Sequence, residues 1–145
     1  MKFLESIVIG SDHAGYEMKQ ALVSWGKENG VTLLDAGSMN ADPVDYPDYA
    51  HKVSHFILSQ KANTGILVCG TGIGVSMAAN RHKGIRAALC RSVEDAALAR
   101  QHNNANVLCL GERCTSAAAA KEILAIFLAT PFDGGRHEGR VKKMG

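Results

Sequence analysis

Five short apolar runs, separated by segments with helical periodicity, constrain the fold of this chain more than any other feature of its sequence. The runs cover residues 6–10, 31–35, 65–69, 85–90 and 106–111. Most of them lack alternating polar residues, which is typical of strands buried on both faces of a parallel sheet. The helical segments cover approximately residues 16–29, 49–61, 74–81, 93–102 and 116–129. This alternation predicts an α/β fold, an open three-layer αβα sandwich with a five-stranded parallel sheet.

Residues at the ends of these segments agree with the predicted elements. Gly30 follows the first helix, and glycine is common just after a helix C-terminus. Ser92 is placed to cap the fourth helix, and Thr115 or Ser116 is placed to cap the fifth. We therefore expect helices to begin at these hydroxyl side chains.

Length and composition limit the class of protein. The chain has 145 residues, enough for one domain with a buried core, and we expect a single domain over residues 1–145 with a glycine-rich basic tail from about residue 133. Hydrophobic residues make up 46% and charged residues 21%, which is ordinary globular usage. A formal net charge of +2 does not indicate nucleic acid or a membrane as partner. The expected ligand is a small molecule.

The N-terminus and the cysteines indicate the compartment. Glu5 occurs before any apolar segment long enough for a signal peptide, and no segment reaches the ~20 apolar residues of a membrane span. The four cysteines form no C-x-x-C pair, which favours reduced thiols over disulfides or a zinc cluster. We therefore expect a cytoplasmic protein.

The loop after the first strand carries a carboxylate and an imidazole. In open parallel sheets ligands bind beyond the carboxyl ends of the strands, so these loops are the first candidates for a site. Residues 10–15 read GSDHAG and place Asp12 and His13 at a helix entrance. Asp12 as a helix cap with a solvated His13 explains this loop as well as a functional role does.

The loop after the third strand, residues 69–76, reads CGTGIGVS and is a candidate anion site. Its glycines let the backbone approach a ligand, and the following helix offers N–H groups. The glycine spacing matches neither a Walker loop nor G-x-G-x-x-G, which disfavours a nucleotide. Cys69 precedes this helix, where the thiolate is favoured, and can act as nucleophile or base. Cys90 and Cys109 are interpreted as small buried side chains.

Other polar side chains complete the candidate set. Tyr46 lies in a loop with two prolines, residues 42–49, and can contact a substrate hydroxyl. His102 and Asn103 end the fourth helix, where a histidine can equally be placed for its interaction with the helix dipole. Basic side chains able to clamp a phosphate, or to form a solvated surface, are Arg113, Arg136, His137 and Arg140.

Six motifs occur in the chain in a distinctive order. They are GSDHAG at 10–15, DYPDYA at 45–50, CGTGIG at 69–74, GIRAA at 84–88, RQHN at 100–103 and GGRH at 134–137. Together they strongly resemble ribose-5-phosphate isomerase type B over nearly the whole chain. The same superfamily includes galactose-6-phosphate isomerase subunits. The stretch at 80–84, NRHKG, carries more charge than is usual in that family.

The resemblance implies a Rossmann-like homodimer, sometimes further paired into a tetramer, that interconverts ribose 5-phosphate and ribulose 5-phosphate without cofactor or metal. Cys69 would abstract the C2 proton with assistance from Thr71, and backbone amides of residues 70–74 would stabilise the enediolate. In some relatives the base is a glutamate at the position of Val75. Because this chain has valine there, Cys69 keeps the role of base.

The resemblance also implies roles for the remaining candidates. His102 would help to open the furanose ring, with Asp12 nearby. The loop glycines that would contact the substrate are Gly70, Gly72 and Gly74. Phosphate would be held by His13, Arg113, Arg136 and Arg140. Tyr46 and Asn103 would orient the sugar.

Two alternatives remain at this stage. A non-catalytic sugar-phosphate-binding module would use the same glycine-rich loop, but it would need no thiol, imidazole and carboxylate converging there. The same chemistry can also act on allose 6-phosphate, galactose 6-phosphate or a tetrulose phosphate. His102 favours a substrate that must be ring-opened, which disfavours the tetrulose phosphate, whereas pentose and hexose are not distinguished.

The chain order predicts how an active site would have to be assembled. Cys69 and Asp12 follow strands, so they lie at the carboxyl edge of the sheet. His102 and Asn103 end a helix that leads into the fifth strand, so they belong near the opposite edge. If they act on one sugar, we expect them to come from two subunits related by a two-fold axis.

Overall fold

The computed structural model describes residues 6–145, which form five strands and six helices. Residues 1–5, on which the expectation about a leader depends, lie outside the described residues. The strands are β1 Ile7–Ser11, β2 Leu33–Asp35, β3 Thr64–Cys69, β4 Ala87–Leu89 and β5 Val107–Gly111. The helices are α1 Tyr16–Glu28, α2 Tyr46–Leu58, α3 Ile73–Ala79, α4 Val93–Asn103, α5 Ala117–Ala129 and α6 Arg136–Met144.

The five strands form one parallel sheet in the order β2-β1-β3-β5-β4. The three central strands β1, β3 and β5 are buried along their whole length, as their continuous apolar runs predict. The outer strands β2 and β4 have three residues each, shorter than predicted. The strand order reverses between β1 and β3, and this reversal creates a crevice at their carboxyl ends.

Alternate residues of the strands pack into two apolar layers. Ile7 and Ile9 face the layer formed by α1, α4 and α5, whereas Val8 faces the layer formed by α2 and α3. Leu67 and Cys69 also point to the second layer. The predicted αβα sandwich is confirmed, and the side chain of Cys69 lies on the face covered by α2 and α3.

Two helix caps follow the predictions and one does not. The hydroxyls of Ser92 and Ser116 accept from the backbone N–H groups of Asp95 and Ala119 (both 3.1 Å), so Ser116 rather than Thr115 caps α5. Asp12 is not the capping residue of α1, because that helix begins after Gly15.

The C-terminal region differs from the glycine-rich tail that the sequence predicted. After Gly134 and Gly135, both with positive φ, residues 136–144 form α6, which packs against α4. This helix is mostly basic and none of its residues is buried, so no apolar stripe marked it in the sequence. Of the helices within residues 6–145, none has the length and apolar character that a transmembrane segment requires.

Candidate active site

The crevice between β1 and β3 contains the candidate site. Ser11 of β1 pairs with Val68 of β3, so the next residues, Asp12 and Cys69, leave the sheet side by side. They line a cavity of about 510 Å³, within the usual range for small-molecule sites. The lining residues are Asp12, His13, Ala14, Tyr46, Cys69, Gly70, Thr71, Ile73, Gly74, Met77 and Arg113.

Cys69 is held at the floor of this cavity by the loop that follows it. Its side chain is 5% exposed, and its Sγ accepts a hydrogen bond from the N–H of Gly72 at 3.2 Å. Gly72 adopts φ of 78°, a left-handed conformation that favours glycine, and this turn brings its amide back to the sulfur. An N–H donor on the sulfur is the contact that a thiolate base requires.

The other buried cysteines do not line the cavity. Burial and the neighbouring Cys69 and Cys90 raise the pKa of the Cys109 thiol well above its usual value. Cys90 follows β4 rather than lying within it, and burial together with Asp95 raises its pKa to about 12. All four cysteines are free thiols, as predicted. We therefore expect Cys90 and Cys109 to act as packing residues, whereas Cys69 faces the ligand space.

Asp12 and His13 are both fixed by backbone contacts. Asp12 is buried, and its Oδ1 accepts from the N–H of Gly15 at 3.0 Å. The N–H of Val44 donates to Nδ1 of His13 at 3.1 Å. The Val44 carbonyl oxygen also lies 3.2 Å from this nitrogen, so the backbone of Val44 positions the imidazole ring.

Tyr46 and Thr71 also line the cavity. Tyr46 begins α2, three residues earlier than predicted, because Pro47 fits the first turn of a helix. Its ring lies so close to Gly74 that a Cβ there would be 2.5 Å from Cε1, so this position requires glycine. The hydroxyl of Thr71 accepts from the N–H of Ile73 at 3.2 Å.

Arg113 reaches the cavity because the loop after β5 is bonded to the loop after β3. The N–H of Glu112 donates to the carbonyl of Cys69 at 3.0 Å, and the N–H of Arg113 donates to the carbonyl of Gly70 at 2.9 Å. These two bonds place the Arg113 guanidinium over Gly70, in the cavity that Cys69 also lines. Such a group can bind a phosphate through two parallel hydrogen bonds.

The remaining predicted site residues lie away from this cavity. His102 and Asn103 end α4, and Arg136 and Arg140 lie on α6. Asn103 lines a separate cavity with Arg81, Lys83 and Arg86 among other residues. None of His102, Asn103, Arg136 and Arg140 is among the residues that line the cavity of Cys69.

His102 instead stacks on His137. The ring centroids are 4.4 Å apart and the planes are inclined by 14°. Loss of solvent and the charges of His102, Arg136 and Arg140 lower the pKa of His137, against an opposing effect of Asp133. The ligand atoms of His102, Asp133 and His137 all lie within 4.8 Å of one another. Because His102 is distant in sequence from Asp133 and His137, motif spacing did not predict this cluster.

The sequence analysis also missed two apolar residues at the cavity. Ile73 and Met77 line it and remain 45% and 67% exposed. They are four residues apart and therefore share one face of α3. That spacing was available in the sequence, but an apolar pair on a helix more often predicts core packing than a cavity wall.

Taken together, the fold and the cavity define an enzyme of the open α/β class. A thiol, a carboxylate, an imidazole and a guanidinium converge at the point where strand order reverses in a parallel sheet. This is the position at which such sheets bind small ligands, and the group set can transfer protons and hold an anion.

Comparison with known proteins assigns the family. The family described as Ribose/Galactose Isomerase matches residues 7–144, and the chain belongs to this family. The chain is 40% identical over 139 residues to ribose-5-phosphate isomerase B of Escherichia coli, covering 96% of this chain and 93% of that protein. The resemblance inferred from the six motifs is confirmed. The protein is an isomerase.

Solved structures agree with this assignment. A ribose 5-phosphate isomerase from Thermotoga maritima is 51% identical and superposes with a TM-score of 0.95, covering 97% of each chain. Ribose 5-phosphate isomerase B from Anaplasma phagocytophilum is 44% identical with a TM-score of 0.93, covering 100% of this chain and 99% of that one. The Rossmann-like αβα fold is therefore shared with enzymes of this family.

Proposed function

We propose that the protein interconverts ribose 5-phosphate and ribulose 5-phosphate through an enediolate, with Cys69 as the base. The observation that carries this proposal is the position of Cys69 at the floor of the cavity, with the Gly72 N–H on its sulfur. The thiolate removes the proton from C2 while the C1 carbonyl becomes an enediolate oxygen. The resulting thiol then returns a proton to C1, while the C2 hydroxyl loses its proton to become the ketone carbonyl and O1 gains a proton to become a hydroxyl. The proton lost from O2 balances the proton gained by O1, so no electron acceptor is needed. Thr71, beside the thiol, assists the transfer.

Binding groups for the substrate surround this base. Backbone of the loop at Gly70 and Gly74, which line the cavity, lies against the reacting carbons in this proposal, where amides stabilise developing negative charge. Gly72 does not line the cavity, and its N–H acts instead on the sulfur of Cys69. Arg113 and His13 contribute to phosphate binding from within the chain, and Tyr46 orients the sugar hydroxyls. Asp12 is buried and lines the same cavity as Cys69, and in this proposal it lies near the His102 that opens the sugar ring.

The remaining groups come from a second subunit in this proposal. His102 opens the furanose ring, Asn103 contacts the sugar, and Arg136 and Arg140 hold the phosphate across a two-fold interface. Two observations support a partner: these side chains lie outside the cavity of their own chain, and the cavity rim exposes Ile73 and Met77. Exposed apolar residues around a functional cleft are typical of protein contact surfaces.

The proposal also covers the domain organisation, the assembly and the cellular location of the protein. Residues 1–145 act as one domain, assembled as a homodimer or tetramer, and the reduced thiols are suited to the cytoplasm. No metal or cofactor takes part in the proton transfer, because the base and the charge-stabilising groups are all side chains and amides.

A substrate panel tests the proposal. Purified protein is assayed with ribose 5-phosphate, allose 6-phosphate, galactose 6-phosphate and a tetrulose phosphate, and kcat/KM is compared. We expect the highest value for ribose 5-phosphate. A higher value for a hexose phosphate assigns the same chemistry to another substrate, and absence of turnover with all four overturns the proposed function.

A further inference from the structure

A group of potential metal ligands lies on the surface formed by α4 and α6, outside the cavity of Cys69. It consists of a nitrogen of His102, a nitrogen of His137 and a carboxylate oxygen of Asp133, all within 4.8 Å of one another. Two imidazoles and one carboxylate are ligands that Zn²⁺ accepts, with a further position left for water. No other such group of three occurs within residues 6–145.

The backbone holds these three residues together before any ligand binds. The N–H of Asp133 donates to the carbonyl of Gln101 at 3.1 Å, which fixes Asp133 next to the residue that precedes His102. The N–H of His137 donates to the carbonyl of Gly134 at 3.1 Å, which turns the chain so that His137 stacks on His102. These two backbone hydrogen bonds hold the main chain of the cluster in place, so only the three side chains have to move for metal binding.

Coordination requires the two imidazoles to leave their stacked arrangement, because nearly parallel rings with centroids 4.4 Å apart do not direct their nitrogen lone pairs to one point. Ligand atoms around a tetrahedral Zn²⁺ at about 2.0–2.2 Å lie roughly 3–3.5 Å apart. Asp133 is exposed and both histidines are half-buried, so rotations of their side chains can bring the ligand atoms from 4.8 Å or less to that spacing. Arg136 and Arg140 act electrostatically on His137 from the same helix, which limits affinity and keeps the ion exchangeable.

We propose that His102, Asp133 and His137 form an inhibitory binding site for Zn²⁺ or a similar divalent transition-metal ion. Binding occupies a ring nitrogen of His102 and fixes the imidazole on α6. The inhibitory effect rests on the function proposed above, in which His102 opens the sugar ring. Metal binding itself does not depend on that function and is measured separately.

Calorimetric titration of the metal-free full-length protein with Zn²⁺ alone tests the site. Wild type is compared with Asp133→Asn and His137→Ala, each checked for an unchanged thermal unfolding transition. We expect one ion per chain and a Kd at least about tenfold weaker in both variants, since even indirect partners of metal ligands contribute that much.

Matched control variants test whether other potential metal ligands on the surface account for the binding. His51 and His82 form a second imidazole pair, with 2.7 Å between Nδ1 and Nε2, and Cys114 is an exposed thiol. His82→Ala and Cys114→Ser should leave the Kd for Zn²⁺ unchanged. Three results overturn the proposed site. They are absence of Zn²⁺ binding to wild type, a Kd in Asp133→Asn or His137→Ala equal to that of wild type, and loss of binding in either control variant.

The inhibitory effect is measured in the isomerase assay. Zn²⁺ should inhibit wild type reversibly on chelation, whereas Asp133→Asn should keep its metal-free activity and require at least about tenfold more Zn²⁺ for the same inhibition. Calorimetric binding without inhibition overturns the inhibitory role. If the protein turns over no sugar phosphate, the proposed function fails while the titration still decides whether the metal site exists.

Discussion

The cavity of Cys69 and the surface around His102 differ in how completely one chain builds them. Around Cys69, backbone bonds fix each polar group: Gly72 donates to the sulfur, Gly15 to Asp12 and Val44 to His13. Around His102, the side chains lie on two helices, and none of the residues of α6 is buried. The first region is a prepared reaction centre, whereas the second presents donors and charges outward. This difference is what a site shared between two subunits would require.

Replacement of the base should have the largest effect on activity. Cys69→Ala removes the proposed base, and we expect kcat to fall about 10⁴-fold, at the upper end for general acid–base groups. The fold should be retained because alanine fits a strand end. Release of deuterium from C2-labelled substrate in a single turnover is the measurement, and exchange at the wild-type rate would show that Cys69 is not the base.

Replacement of His102 should have a smaller effect, because Cys69 and its cavity remain intact. We expect His102→Ala to lower the turnover of ribose 5-phosphate about 10²-fold, through slower ring opening. The part of the substrate already in open-chain form should still exchange its C2 proton. Initial rates of isomerisation are the measurement, and wild-type rates would remove His102 from the mechanism.

Cys109 is the natural comparison for Cys69, because both lie in the same apolar layer and only Cys69 is proposed to be reactive. Cys109 is fully buried and lines no ligand space, so Cys109→Ala should lower the free energy of unfolding by about 1 kcal/mol or more with catalysis largely kept. Cys90→Ala should behave in the same way. Urea denaturation and initial rates are compared, and a loss of kcat similar to that of Cys69→Ala contradicts this assignment.

Removal of metal should have the smallest effect on the basal reaction. In the proposed mechanism the groups around Cys69 transfer the proton and stabilise the charge without an ion, so exhaustive chelation should leave initial rates unchanged. Rates are measured before and after chelation, and with each divalent ion added back. Loss of activity restored by one particular ion would mean that the cavity residues Asp12 and His13 hold a catalytic metal.

These two regions also differ in how far sequence predicted them. The position of Cys69 followed from a buried apolar run that ends in cysteine before a glycine-rich loop, and parallel sheets place such loops at one edge. The hydrogen bond from Gly72 to its sulfur depends on a left-handed turn that no residue pattern specifies by itself.

The surface around His102 was less predictable because its contacts are tertiary. Sequence order placed His102 far from Cys69, but α6 carries no apolar stripe and was interpreted as a tail. The stacking of His137 on His102 depends on how the segment after α5 returns to α4, which is set by loop contacts such as Asp133 with Gln101. Local periodicity contains no information about these contacts.

The most direct test of the shared site is complementation between two inactive variants. Cys69→Ala and His102→Ala proteins are mixed in equal amounts under conditions that exchange subunits, and exchange is verified by mass spectrometry of differently labelled chains. In each heterodimer one site carries both defects and the other carries neither.

A random mixture should therefore recover about a quarter of wild-type activity, well above that of either variant alone. If subunits exchange and no activity returns, Cys69 and His102 do not act across an interface, and the account of a site shared between two subunits is contradicted.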